Sequence, residues 1–239
     1  MSSSLSHTLL VVVGSSSGVA TGVIPQLSAF DRYLFISSRP GTMMANGSKH
    51  EFVVAGDNCV SGFESHFQMA LSASEIRLRE VVVILFSGIT DSTIFVNQSP
   101  GELEKIVEVN LMSNVFATHA ALKKFRMNKL RIIYVSSSRA LLGDRGTVMY
   151  STTKNALNGL ARGIALEYGR FGVRANVLSL GITDVGMGTQ VAEANARTII
   201  QRSANRSPVN LESVALAIDF LRQNDDMNGS VLMCDGGYH

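Results

Sequence analysis

The sequence predicts an α/β protein: an open, doubly wound parallel sheet of about seven strands, with helices on both faces, in a single domain over residues 1–239. Three observations predict it. Short runs of Val, Ile and Leu are unbroken by polar residues, which marks strands buried on both faces, as in parallel sheets. Helical stretches separate these runs, and right-handed crossovers wind such an arrangement into an open sheet. No Pro-, Gly- or Ser-rich linker divides the chain.

The elements follow in order. "LLVVVG" (9–14) is an apolar strand ending on glycine, and "VATGVIPQLSAF" (19–30) has helical spacing that Pro25 disturbs. "RYLFISS" (32–38) reads as a strand and "HEFVVAG" (50–56) as another, followed by a helix over 62–73 and a strand, "VVVILFSG", over 81–88. Ser99, Pro100 and Glu102 make a capping-box start, so one long helix is expected from Pro100 to Phe125. Strand 130–137, helix 149–169, strand 172–181, helix 211–222 and a last strand over 230–237 complete the chain.

Composition narrows the function. With 46% hydrophobic residues the chain can bury a large core, yet no apolar run approaches the ~20 residues needed to span a bilayer. The start, "MSSSLSHTLLVVVG", lacks the basic region of a signal peptide, and its apolar run enters a glycine turn directly. Cys59 and Cys234 show neither metal-ligand spacing nor a disulfide framework, which fits a reducing, cytoplasmic setting. The net charge of +2 is spread by interleaved acids and bases, so no nucleic-acid face is expected, although "RPGTMMANGSK" is a locally basic loop. His7, His50, His66 and His119 form no ligand pair, so no metal is expected, and the ten methionines read as core filler.

The turn "GSSSGVA" lies directly after the first strand. Gly14 and Gly18 bracket Ser15, Ser16 and Ser17, and Ala20 replaces a third glycine. Glycines there let a pyrophosphate approach the backbone, and a helix start offers N–H groups to the anion. The turn therefore reads as the phosphate loop of a Rossmann dinucleotide site. The same residues fit G-x-S-x-G, which would make Ser16 a hydrolase nucleophile. Chain order opposes that: only thirteen residues precede Gly14, and the one late histidine is His239. The second strand ends without an acid for a ribose 2′-OH, and Ser38 and Arg39 at its tip suit a 2′-phosphate, favouring NADP (NADPH) over NAD.

Several motifs, in order and spacing, resemble the short-chain dehydrogenase/reductase family in its single-domain form. They are the glycine loop at 14–20, "SGIT" at 87–90, "VNL" at 109–111, "IIYVSS" at 132–137, "YSTTK" at 150–154, "GVRANVLSLG" at 172–181 and "NGSVLMCDGG" at 228–237. The step of thirteen residues from Ser137 to Tyr150 is the most specific of these. Within the family the chain is most similar to 3-oxoacyl-carrier-protein reductases and related ketoreductases. The resemblance implies that Tyr150 is the proton donor and that Lys154, one helical turn on, lowers its pKa and holds the nicotinamide ribose. It also implies that Ser137 steadies the substrate oxygen and that Asn110 binds a water in a proton relay. Cofactor contacts are expected from Gly14, Ser16, Ser17, Gly18, Val19, Ser38, Arg39, Ser87, Gly88, Tyr150, Lys154, Gly181 and Thr183, and from Cys59 and Val60 or, with a shift, Asp57 and Asn58.

The sequence departs from the family at several points. Leu85 and Phe86 stand where paired asparagines are usual, so a polar contact in the sheet is expected to be lost. Leu180-Gly181 replaces Pro-Gly, and Val185 replaces a threonine, with Thr183 as substitute. The expected function is NADPH-dependent reduction of a small or carrier-bound carbonyl. Oxidation of a sugar or other secondary alcohol, or an idle binding protein on the same scaffold, are the alternatives. The resemblance also implies a homodimer or homotetramer, with Phe116 and Leu122 facing a partner. The segment 186–205 is expected to shape the substrate site, with Arg197, Arg202 and Arg206 on a solvated face.

Overall fold

The computed structural model describes residues 7–27, 30–37, 49–54, 62–65, 78–90, 93–186, 197–198 and 200–238. Seven parallel strands form one sheet: β1 (His7–Val13), β2 (Arg32–Ser37), β3 (Lys49–Val54), β4 (Leu78–Leu85), β5 (Lys129–Ser137), β6 (Arg174–Leu180) and β7 (Val231–Cys234). Their spatial order is β3-β2-β1-β4-β5-β6-β7. The winding reverses between β1 and β4, which pair from His7↔Leu78 to Val13↔Leu85. At that reversal the connections leave in opposite directions and open a crevice beyond the carboxyl ends of the strands.

The unbroken apolar runs follow from this architecture. Along β1, Leu9, Val11 and Val13 enter one core while Leu10 and Val12 enter the other. The first core is closed by α3 (Ser113–Phe125) and α5 (Val148–Tyr168), through residues such as Ala117, Ala121, Phe125, Leu157 and Ala161. The second is closed by α1 (Gly18–Val23) and α6 (Leu211–Gln223), through Ala20, Val23, Val214, Ile218 and Leu221. Leu85 and Phe86 follow the same rule: each is buried, one per core, so apolar packing occupies the place of the missing asparagines.

Two helices differ from expectation. The first stops at Val23 and tightens into a 3₁₀ turn, Ile24–Gln26, because Pro25 has no N–H to continue the ladder. The long helix starts at the expected capping box, where the Ser99 N–H donates to Glu102 Oε2 (2.7 Å) and Ser99 Oγ accepts from Glu102 N–H (3.4 Å). It is then interrupted: α2 (Pro100–Val107) gives way to a wide π turn, Glu108–Met112, before α3 begins. In that turn the Ser113 N–H reaches back to Glu108 O. Side chains meet the neighbouring carbonyls, with Ser113 Oγ donating to Val109 O (2.6 Å) and Asn114 Nδ2 to Asn110 O (2.8 Å). Of the helix expected over 62–73, residues 66–73 lie outside the described residues.

Leu122 belongs to the core of its own chain at 6% exposure, and Phe116 packs against that core, so the expectation that Leu122 faces a partner is corrected. Among the described residues no helix is long and apolar enough to cross a membrane.

Candidate active site

The crevice at the β1/β4 reversal collects most of the residues singled out from the sequence. Gly14 turns the chain off β1 with φ +77°, and a Cβ there would lie 2.7 Å from Ser87 N, so glycine alone lets the loop pass the end of β4. The loop is pinned at both ends. Gly14 and Ser15 N–H donate to Ile36 O (2.8 and 3.2 Å), and Ser17 caps α1 by accepting from Ala20 N–H (3.1 Å). Ser16 accepts from the Ser37 hydroxyl at 2.6 Å, an interaction that offers no general base for a hydrolase. Gly18 lies under Gly186, where a Cβ would meet the Gly186 backbone at 2.5 Å, and Val19 is partly buried behind it.

Opposite the loop, α5 presents one buried face carrying Tyr150, Thr153, Lys154, Leu157, Asn158 and Ala161. Tyr150 and Lys154 therefore share a side of the helix, as i,i+4 spacing requires. Lys154 is 2% exposed, and its ammonium donates to Ser87 O and Val135 O, both at 3.0 Å. Gly88 makes room for it, since a Cβ there would stand 2.8 Å from Lys154 Nζ. Burial pulls this ammonium down to about 8. An ammonium has three N–H donors, so one remains for a further acceptor.

Asn110 is fully buried and works as a clamp. Its Oδ1 accepts from Ile89 N–H (2.7 Å), and its Nδ2 donates to Ile89 O (2.9 Å) and to Thr153 Oγ1 (3.3 Å). The π turn thus joins the chain after β4 to α5, directly beside the Tyr150–Lys154 turn.

Three serines in a row end β5, and the structure separates them. Ser136 Oγ donates to Lys154 O (3.1 Å) and Ser138 Oγ to Leu180 O (3.1 Å), so both are tied to backbone. Ser137 Oγ accepts the Arg139 N–H (3.3 Å) and is hydrogen-bonded to the Tyr150 hydroxyl. That hydrogen bond lowers the Tyr150 pKa, as donation from the Ser137 O–H to the phenolate would.

The electrostatics differ from expectation. Burial pushes the Tyr150 phenol above its ordinary value, and the Ser137 hydrogen bond and the Arg139 charge pull it back. Arg139 is thus a further cation acting on Tyr150, while the Lys154 ammonium holds Ser87 O and Val135 O. Arg139 and Thr153 were missed in the sequence. The signal for Arg139 was its place two residues after Ser137, at the carboxyl end of a strand.

Gly181 N–H donates to Cys234 O (3.0 Å), and the Thr183 hydroxyl donates to Val185 O (3.1 Å), so its proton is already taken. Ser38, Arg39, Cys59 and Val60, with Asp57 and Asn58, lie outside the described residues. Among the described residues no group of His, Cys, Asp and Glu could hold a metal ion.

Known proteins share this fold. A family model described as enoyl-(acyl carrier protein) reductase matches residues 66–239. The 3-oxoacyl-(acyl-carrier-protein) reductase FabG of Rickettsia prowazekii (strain Madrid E) is 23% identical over 233 residues, 95% of either chain. A solved short-chain dehydrogenase/reductase from Serratia marcescens BCRC 10948 superposes with a TM-score of 0.85 at 21% identity, covering 98% of both chains. ElxO with NADP bound gives a TM-score of 0.83 at 20% identity, covering 97% of this chain and 98% of that one.

Proposed function

The chain belongs to the short-chain dehydrogenase/reductase family, and from that premise we propose that it is an NADPH-dependent reductase. In this reading it converts the carbonyl of a small or carrier-bound substrate to a secondary alcohol. The observation that carries the reading is the juxtaposition of three groups in the crevice. They are a buried phenol hydrogen-bonded to Ser137, a buried ammonium with one donor remaining, and a pinned glycine loop across the end of β4.

These residues fit a dinucleotide. Gly14, Ser16, Ser17, Gly18 and Val19 would hold its pyrophosphate, Ser87 and Gly88 the adenosine ribose, and Lys154 and Tyr150 the nicotinamide ribose. Gly181 and Thr183 would lie against the carboxamide. Ser38 and Arg39 would meet a 2′-phosphate, with Cys59 and Val60 near the adenine. Bound NADPH supplies the hydride. Tyr150 supplies the proton, and Ser137 stabilises the oxygen on which charge develops. Asn110 sets the position of Thr153 and so of the Tyr150–Lys154 turn. FabG is named as a reductase of 3-oxoacyl groups and ElxO binds NADP; both support this assignment. Burial raises the Tyr150 phenol, which favours the protonated form that a proton donor needs. We further propose one domain over residues 1–239, working in the cytoplasm as a homodimer or homotetramer.

The test is Tyr150→Phe, followed by NADPH absorbance with a panel of ketones and by cofactor titration. Turnover is expected to fall by about 10²- to 10⁴-fold, with NADPH affinity within about threefold of the parent. A variant that retains its rate would show that Tyr150 is not the proton donor.

A further inference from the structure

Beside Tyr150 lies a cluster of which the proposed chemistry draws only on the Arg139 charge. Arg139, two residues beyond Ser137, extends its Nε to Asp144 Oδ2 (3.4 Å), and its side chain is 14% exposed. Asp144 Oδ1 faces Arg202 Nη1 at 3.8 Å and accepts the Arg145 N–H at 2.8 Å. The Arg202 guanidinium lies over the Tyr238 ring, 4.8 Å from its centroid. The backbone fixes this meeting. Ser203 bridges antiparallel to Tyr238, and the N–H groups of Ala204 and Asn205 donate to Gly237 O (2.9 Å) and Gly236 O (3.0 Å). Arg202 thus joins this cluster while its side chain stays 41% exposed, as a solvated face would have it.

Two features of the cluster lack partners. Among the described residues the terminal nitrogens of Arg139 carry no hydrogen bond or ion pair. The Tyr238 hydroxyl is buried, on a side chain 6% exposed, and has no hydrogen-bond partner among them either. A buried hydroxyl without a partner costs free energy unless a ligand meets it. Asp144 is shared between the two guanidiniums, so it does not belong to Arg139 alone. The other nearby acid, Asp235, is turned toward the Gly237 N–H at 3.0 Å. The Arg139 charge acts on the hydroxyls of both Tyr150 and Tyr238, so it stands within reach of both.

Resting on the ketoreductase reading, we propose that Arg139 and Tyr238, braced by Asp144 and Arg202, form an oxyanion-binding subsite that selects carbonyl substrates bearing a carboxylate near the reacting carbon. A guanidinium fork pairs two N–H groups with two carboxylate oxygens, and a phenol O–H adds a third donor. Proximity to Tyr150 decides the class. The anion must sit within a few bonds of the carbonyl, as in a short oxo acid, whereas the phosphate of a phosphopantetheine arm lies a whole pantetheine chain from its thioester.

The experiment compares acetoacetate with methyl acetoacetate in NADPH turnover, and 3-hydroxybutanoate with its methyl ester in calorimetric binding to the enzyme–NADPH complex. The parent is expected to favour the acid by about tenfold or more in both measurements. Arg139→Gln is expected to bring both ratios near one, Arg139→Lys to restore part of them, and Tyr238→Phe to lower them severalfold. Turnover without charge preference, or ratios unchanged in Arg139→Gln, overturns the subsite and leaves the reductase reading standing. Charge-selective binding without turnover does the reverse. Absence of both binding and turnover for the acids also overturns the subsite. Acetoacetyl-CoA turned over in preference to acetoacetate would assign the anion to a carrier phosphate and overturn it as well.

Discussion

Lys154 is charged in a place that disfavours charge, so removing it should make the protein more stable while ending its activity. The side chain is 2% exposed, and burial lowers its pKa from 10.5 to about 8. That gap of about 2.5 pH units corresponds to about 3 kcal/mol of cost at neutral pH, at about 1.4 kcal/mol per unit. In Lys154→Met, Ser87 O and Val135 O lose their donor, which returns about 1 kcal/mol of that gain. The variant is therefore expected to be about 1–3 kcal/mol more stable than the parent at pH 7 in urea denaturation of the cofactor-free protein. The sign with pH follows from the depressed value. Between pH 8 and 10.5 the unfolded chain holds the proton that the folded chain has lost, so the parent gains stability as pH rises. The advantage of Lys154→Met should be full below pH 8, shrink through that window and vanish above 10.5. Turnover should be lost by about 10²-fold or more. A variant less stable than the parent at pH 7, or a difference flat with pH, would refute the idea that this ammonium is held at a cost.

Three further outcomes are expected. Asn110→Leu strips partners from the Ile89 N–H, the Ile89 carbonyl and Thr153, and should destabilise by about 2–4 kcal/mol in urea denaturation; a change below about 1 kcal/mol would deny the clamp. Gly14→Ala places a methyl 2.7 Å from Ser87 N at φ +77° and should cost about 1–3 kcal/mol, with a parallel loss of NADPH affinity by calorimetry. Ser137→Ala should lower kcat by about 10²-fold. It should also move the rising limb of the alcohol-oxidation pH profile upward, because burial already raises the Tyr150 phenol and Ser137 is what pulls it back. An unmoved limb would place the Ser137 hydroxyl elsewhere.

How much of this was legible before the structure depends on what kind of interaction each residue makes. Strands such as Leu9–Val13 were readable because double-sided burial forces every position to be apolar, a pattern carried by local composition. The pairing of Tyr150 with Lys154 was readable because helical geometry alone sets it. The π turn was not, since it depends on Asn110 meeting the Ile89 backbone from 21 residues away, and no local propensity encodes that contact. Spacing to Tyr150 singled out Ser137 from Ser136 and Ser138, but it could not show what holds the other two. Their separation rests on where Lys154 O and Leu180 O lie, which is a property of the folded sheet. The role of Arg139 escaped for the same reason: a cation's effect on Tyr150 depends on distance through space, and Arg139 is eleven residues from Tyr150 in sequence.

The presence of a second cation near Tyr150 bears on how the site divides its labour. A phenol raised by burial keeps its proton at neutral pH and is ready to donate when a neighbouring oxygen becomes strongly basic. After donation the phenolate needs stabilisation, which Ser137 and Arg139 are placed to give. Lys154, through its bonds to Ser87 O and Val135 O, also fixes the floor of the crevice. If one guanidinium both steadies the phenolate and reads a substrate carboxylate, the two duties must compete, because a bound carboxylate partly neutralises Arg139. A carboxylate-bearing ligand should then raise the Tyr150 pKa in the complex relative to its methyl ester, keeping the phenol protonated and favouring reduction. Ultraviolet titration of the phenolate band, with Tyr150→Phe as the blank, would read that shift. A value lowered by the carboxylate would show that Arg139 does not serve both groups.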